Sequence, residues 1–361
     1  MSKTETTKKG GGILGGLILL LVGIGILWYN EGRTVATQST INEAKKNYTD
    51  VSSKKIDEKY DGKLIATKGK IDLSEASTPT DSTFGISAKA AKLVRTVEVY
   101  QWKENCETDD NDQKNCTYEK VWEDRLIDSS DFEKSGHDNP TTVPYESETY
   151  IADNVKLGAF TLPEELIKSL STNKTKSNSN LTEEYTKPVE GITVSNNYLT
   201  NVKDNSPEIG NIRISFSYLT EENVSVMAVQ NGDTFEAFTS KKGKDVYKIL
   251  KGNYTGAQIL ANMAKTNKTL KWILRIVGIL ITISAFSSMF SFITNLTDRI
   301  PILGKIVSGA TGLISAILGF SLSLIVIAIA WFRYRPLLSI ILLVVVIGLV
   351  VFLKVYQKNK Q

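Results

Sequence analysis

The sequence predicts an α-helical membrane anchor of four transmembrane helices joined to an α+β, mainly antiparallel-sheet domain outside the cytosol. Three observations carry this expectation. Gly10 to Tyr29 holds no charged residue, apolar residues dominate again from Trp272 onward, and the stretch between is polar and charged. That middle stretch is long enough for one or two globular domains. A spanning helix needs about 20 apolar residues, because no water satisfies its backbone inside the hydrocarbon.

Residues 1–9 read as a cytosolic tail and 10–29 as the first transmembrane helix. Lys8 and Lys9 precede that helix, and Trp28-Tyr29 close it with side chains that favour the membrane interface. A cleaved signal peptide is the alternative. Against it, the uncharged run is longer than a usual signal core and ends in WYNEGR instead of small residues. Residues 30–271 form the large extracytoplasmic or lumenal domain. The remaining spans are 272–293, 306–332 and 336–353, followed by a cytosolic tail at 354–361. Arg275 lies one turn inside the second span, where an arginine can snorkel to the headgroups. Arg333-Tyr334-Arg335 fits an interfacial turn between antiparallel helices, and Pro336 fits the first position of the fourth.

Four spans put both termini on one side, read as the cytosol. The positive-inside rule barely separates the sides. Lys3, Lys8, Lys9, Arg299, Lys305, Lys354, Lys358 and Lys360 stand against Arg33, Lys45, Lys265, Lys268, Lys271, Arg333 and Arg335. Small residues let helices approach closely in lipid. Gly304, Ser308, Gly312 and Ala316 recur at four-residue spacing, as do Gly11 with Gly15 and Gly12 with Gly16. Packing within the chain and homo-oligomer contact both fit. Ser284, Ser287, Ser288 and Ser291 share one face of the second span, and together with Arg333 and Arg335 at the third-to-fourth turn they are the features that favour a channel. No Asp or Glu falls within the predicted spans to form a cation-selective ring.

In the middle stretch, Leu93 to Trp102 and Cys116 to Trp122 are rich in β-branched and aromatic residues and read as strands. The polar turn between them makes a hairpin with Cys106 and Cys116 at its neck. A disulfide there belongs outside the cytosol, and two free thiols are the alternative. Asp109, Asp110 and Asp112 in that turn lack the ligand spacing of a calcium hand. Ile212 to Tyr218 alternates with strand period. Val224 to Val229 and Thr234 to Thr239 follow as strands around an Asn-Gly turn. Helices are expected at Leu162 to Leu170 and Thr255 to Ala264, and residues 172–183 read as a loop. Several Asn-x-Ser/Thr sites, such as Asn47 and Asn173, are expected by chance in so Asn-rich a stretch.

Composition bears on function. The net charge of +4 shows no basic stripe of the kind that binds nucleic acid. With one histidine and two cysteines, the chain cannot assemble an ordinary zinc ligand set. His137, in FEKSGHDNP, is the one histidine available to a nucleophilic triad, and its neighbours read as a structured turn. No catalytic residue, metal site or cofactor is expected.

Several short phrases together resemble the LUMA family, in words the transmembrane protein forty-three family. They are Asn30-Glu31-Gly32-Arg33, Tyr100-Gln101-Trp102 with Trp122, and Phe132 with Gly136-His137 and Asn139-Pro140. Gly210 with Arg213 and Ser215 to Tyr218 is another, and Tyr334-Arg335-Pro336-Leu337 the last. The resemblance covers most of the chain. It implies a protein of the endoplasmic reticulum and inner nuclear membrane in animals, one that self-associates and organises complexes with lamins and emerin. In a bacterium only the membrane architecture carries over, in the cell membrane. The short N-terminal tail and the Cys106/Cys116 pair depart from the animal pattern. The expected function is a non-enzymatic multi-pass membrane protein that scaffolds other membrane proteins, with a channel or channel-modulating subunit as the alternative.

Overall fold

The computed structural model describes residues 11–108, 114–297, 301–337 and 339–341. Five α-helices occur among them: α1 (Gly11–Asn47), α2 (Glu164–Ser169), α3 (Asn178–Glu184), α4 (Gly256–Thr297) and α5 (Pro301–Tyr334). The chain forms two compact units. One holds the described residues up to Lys46, Thr239–Asp245 and those from Leu260 onward. The other holds Asn47–Phe238 and Val246–Ile259.

In the helical unit, α1, α4 and α5 are each long and apolar enough to cross a membrane. The expected fourth span, 336–353, lies mostly outside the described residues. At its start, Arg335 leaves the helix and Pro336 and Leu337 are helical again. A proline at the first helical position sacrifices no hydrogen bond. Helix α1 does not stop at Tyr29 but continues unbroken to Asn47. Its last turns contain Ala36, Gln38, Glu43, Ala44 and Lys45, good helix formers with no Gly or Pro among them. The sheet unit therefore begins at residue 47 instead of 30, and the helix expected at Thr255 to Ala264 is the first part of α4. The segment Thr239–Asp245 packs on α1, with Thr40 and Ser240 hydroxyls 2.7 Å apart and Lys241 N–H donating to Glu43 at 3.1 Å.

Glycines set how closely these helices approach. A Cβ on Gly23 would lie 2.6 Å from Thr282 Oγ1, one on Gly278 would lie 2.7 Å from Leu27, and one on Gly319 would meet Ile283. The predicted Gly312 faces open space, as does Gly15, while Gly16 lies against Met289. Gly304 and Ser308 belong to α5, but their side chains lie outside the described residues. Ser284 and Ser287 are exposed, so they line no path inside the chain.

The other unit contains two seven-stranded sheets. In the first, strand Leu64–Asp72 is antiparallel to Asn223–Asn231 with Ala66 opposite Met227, and Asn223–Asn231 also pairs with Lys248–Lys251. Asn231-Gly232 turns the chain into Thr234–Glu236, as the sequence predicts, with Gly232 at a φ of 58°. The run expected to end at Thr239 is interrupted at Ala237. Core residues Ile65, Val224, Val226, Phe235 and Ile249 are covered by Leu166 and Ile167 of α2. In the second sheet, the long strand Lys92–Thr108 pairs with Ile212–Leu219 over its first half and with Lys114–Glu123 over its second. Ile212, Ile214 and Phe216 alternate into a separate core with Phe84, Val97 and Val99. Each large apolar side chain buried this way contributes about 1.5–3 kcal/mol.

Residues 172–183 are not a loop. Lys174–Thr175 pairs with Ser217 and Tyr218, and α3 follows. Ser177 opens α3 with a capping box to Asn180, and Leu181 is buried. Lys176, almost wholly buried, donates to Glu184 and to the Ser87 carbonyl at 2.8 Å, which pins α3 to the sheet.

Candidate functional site

A buried polar cluster lies in the helical unit, where α1, α4 and the end of α5 meet. Asn30 and Glu31 are fully buried, and Thr34, Asn267 and Arg275 nearly so. Glu31 is the centre. Its Oε1 accepts Arg275 Nε at 2.7 Å, and Arg275 Nη2 lies 2.6 Å from the same oxygen. Its Oε2 accepts the Trp331 indole N–H at 3.0 Å and lies 3.9 Å from Arg335 Nη2. One carboxylate thus ties α1 to α4, to α5 and to the residue after α5. The Arg275 guanidinium also lies 5.1 Å from the Trp272 ring and 5.8 Å from the Trp331 ring. Both are favourable places for a partly desolvated cation.

Around this pair the helices exchange hydrogen bonds. Asn30 donates to the Lys271 carbonyl at 2.9 Å, Arg33 to Asn267 Oδ1 at 3.1 Å, and Asn267 back to the Thr34 carbonyl at 3.1 Å. Gly32 makes room for Tyr334, since a Cβ there would lie 2.8 Å from the ring. Tyr334 in turn meets Trp28 edge-on at 5.8 Å. The phrase Asn30-Glu31-Gly32-Arg33 and the phrase Tyr334-Arg335, far apart in sequence, are therefore one site, and Pro336 opens the helical stretch beyond it.

Arg275 does not snorkel. A buried carboxylate is within reach, so the guanidinium pairs inward and avoids both lipid and unpaired burial. Sequence reasoning missed Arg275, Trp331 and Asn267 as members of the site. A signal existed. Glu31 lies three residues after Trp28 in the outgoing helix, and Arg275 three after Trp272 in the returning one. Opposite charges thus stand at matching distances from interfacial tryptophans.

The other predicted residues form separate structural features of the sheet unit. Cys106 and Cys116 stand opposite each other in the hairpin and are bonded. His137 stacks on Tyr118, ring centroids 3.8 Å apart, and meets Trp102 edge-on at 4.7 Å. Its Nδ1 lies 3.3 Å from the Lys134 carbonyl, within the turn that Gly136 permits at a φ of 88°. Tyr118 donates to Glu104 at 2.5 Å, and that bond holds the Glu104 carboxyl below its ordinary pKa. Asn139 acts as a missing strand: its side chain accepts from Trp102 N–H at 2.7 Å and donates to the Trp102 carbonyl at 2.8 Å. Pro140 follows it with no backbone N–H to satisfy. Arg213 grips Glu98 with two bonds of 2.7 Å between the rings of Trp122 and Tyr198. Asp109, Asp110 and Asp112 lie outside the described residues.

Comparison with known proteins bears on this arrangement of sheet unit and spans. The family model described as Transmembrane protein 43 matches residues 99–336, from the Trp102 hairpin to the proline after Arg335. The chain belongs to the transmembrane protein 43 family. It is 27% identical over 355 residues to Transmembrane protein 43 of Homo sapiens, covering 93% of this chain and 88% of that protein. It is 27% identical over 351 residues to that of Pongo abelii, with 92% and 86% covered. To the Transmembrane protein 43 homolog of Drosophila melanogaster it is 28% identical over 351 residues, with 91% and 90% covered. No solved structure matches the chain. The transmembrane protein 43 family is the LUMA family that the short phrases resemble. Gly136, His137, Asn139, Pro140, Arg213, Tyr334, Arg335 and Pro336 fall within the family match, and Asn30 to Arg33 precede it.

Proposed function

We propose that this transmembrane protein 43 family member is a non-enzymatic membrane scaffold, which holds a folded domain beside the bilayer and organises other membrane proteins around its helices. The observation that carries this reading is the Glu31 junction. A carboxylate buried among three helices and satisfied by Arg275 and Trp331 suits a fixed frame better than a moving gate. In the sheet unit, His137 and Arg213 are held in ring stacks and ion pairs that shape loops and strands. The same reading favours self-association through the outward apolar faces of the spans, where Leu21 is 69% and Leu313 68% exposed. The channel alternative has less support, since Ser284 and Ser287 face outward.

In an animal cell this scaffold belongs to the endoplasmic reticulum and inner nuclear membrane, with lamin- and emerin-type partners. In a bacterium it belongs to the cell membrane. The test is chemical crosslinking in native membranes followed by mass spectrometry. Recovery of homo-oligomers or defined membrane-protein partners is expected, and recovery of monomer alone contradicts the proposal.

A further inference from the structure

Next to the junction, α1 and α4 leave a groove of about 800 Å³ within the helical unit. Lys265, Lys268, Lys271 and Arg335 line one side, and Gln38 and Asn42 of α1 line the other with neutral polar groups. Among the described residues no carboxylate pairs with Lys265, Lys268 or Lys271. The nearest acid of the cluster, Glu31, is already taken by Arg275 and Trp331. Arg335 shares Glu31 at 3.9 Å, and the three lysines have no carboxylate paired with them among the described residues. Like charges held this close repel one another, and an anion relieves them.

The position of the groove names the anion. Directly past Lys271 the surface of α4 turns apolar, with Trp272 and Ile273 each 51% and Ile276 56% exposed. A tryptophan there marks the headgroup level of a bilayer. Trp272, about 100° around α4 from Lys271, and Ile276 one turn further on give a ligand in the groove an exposed apolar flank beside its head. Lysine ammonium groups act as point charges suited to phosphate. The volume exceeds that of a single phosphate and leaves room for a headgroup bearing more than one.

We propose that this groove binds the headgroup of an anionic phospholipid, in the leaflet where α1 and α4 lead into the sheet unit. Lys265, Lys268 and Lys271 hold the phosphates, and the acyl chains lie along the exposed face of α4. The site is independent of the scaffold reading, since lipid could occupy it in a protein of any function.

The experiment uses the full chain purified in neutral detergent and native mass spectrometry. The added probes are dioleoyl phosphatidylinositol 4-phosphate, dioleoyl phosphatidylglycerol or dioleoyl phosphatidylcholine. Each basic residue near an anionic surface is worth a factor of about five. K265Q/K268Q/K271Q should therefore bind the anionic lipids roughly a hundredfold more weakly. K265Q/K268Q, which changes only exposed side chains, keeps the test usable if the triple variant does not fold, and should lose roughly twentyfold at the same factor per residue. K241Q/K242Q/K244Q removes the same charge from the Thr239–Asp245 segment and should bind as the parent does. Equal loss in that control, unchanged binding in both groove variants, or phosphatidylcholine bound as tightly as the anionic lipids would overturn the proposal. So would inorganic phosphate competing as well as lipid, which would mark a site for free anions.

Discussion

The Glu31 carboxylate and the Arg275 guanidinium form a buried ion pair with Nε to Oε1 at 2.7 Å, joining α1 to α4. Both Glu31 oxygens are satisfied, while Arg275 bonds through Nε and leaves Nη2 without a hydrogen bond of its own. Arg275 has an oxygen and two ring faces, and Glu31 has donors on both oxygens. Removing one partner of such a pair leaves the other charged and buried, at a cost of about 3–5 kcal/mol. E31Q should therefore lower the thermal unfolding midpoint in detergent sharply. E31L/R275M, which replaces both charges with apolar bulk, should recover much of that loss.

Glycine substitutions read the helix contacts directly. G23A places a methyl 2.6 Å from Thr282 Oγ1 and 3.3 Å from the Gly278 carbonyl, and should destabilise the α1–α4 pair by about 1–3 kcal/mol. G25A meets nothing within 4 Å. It should be neutral or stabilising by up to about 1 kcal/mol from helix propensity alone. Thermal denaturation of the two variants side by side separates packing from propensity.

Much of the architecture was legible in the sequence because it rests on local pattern. Ile212 to Leu219 alternates, Asn231-Gly232 turns, and the apolar runs are long enough to span. The junction was half legible. Glu31 and Arg335 were singled out, but Arg275 was read as a residue reaching for headgroups. Period and composition give no information on which charge faces which across two helices. Helix α3 was hidden for a different reason. Its Asn, Ser and Thr residues look like loop, and the buried Leu181, the Ser177/Asn180 cap and the Lys176–Glu184 pair hold it. Pairings as short as Lys174–Thr175 carry no pattern at all and form because Tyr218 offers its backbone.

The Cys106–Cys116 bond closes a short loop at the end of the hairpin. Its constraint on the unfolded chain is worth about 2–3 kcal/mol for a loop of this size. An impermeant maleimide applied to sealed membrane vesicles should label the chain only after reduction. It should do so from the face opposite the termini. Labelling without reductant, or from the cytosolic face, contradicts the sequence-based expectation of an extracytoplasmic domain.

Asn139 stands in for a strand beside Trp102, with three side-chain bonds to backbone groups. N139A leaves those groups unpaired and should cost about 1–3 kcal/mol. N139D turns the donor into an anionic oxygen facing the Trp102 and Ile127 carbonyls, and should cost at least as much as N139A. Hydrogen exchange at the Trp102 amide reports the local loss.

Tyr247 gives the sheet unit an alkaline limit. Burial, and then the charges of Glu165 and Glu236, push its phenol up to about 12, and it donates to the Phe235 carbonyl at 3.2 Å. An unfolded tyrosine titrates near 10. The folded state thus favours the neutral form. Its contribution is complete below about pH 10 and is lost as pH rises through 12. The parent should lose stability across that window relative to Y247F, measured by urea unfolding at stepped pH. An absorbance titration at 295 nm should show the Tyr247 phenol among the last to ionise.

A double-mutant cycle on Glu31 and Arg275, run in lipid nanodiscs with E31Q, R275Q and the double variant, tests the junction most directly. The account predicts a favourable coupling of about 1.5–3 kcal/mol or more, as for a charge-assisted hydrogen bond that holds two helices together. Additive effects, with no coupling beyond about 0.5 kcal/mol, would mean the two residues act independently and would contradict the Glu31 junction as the frame of the spans.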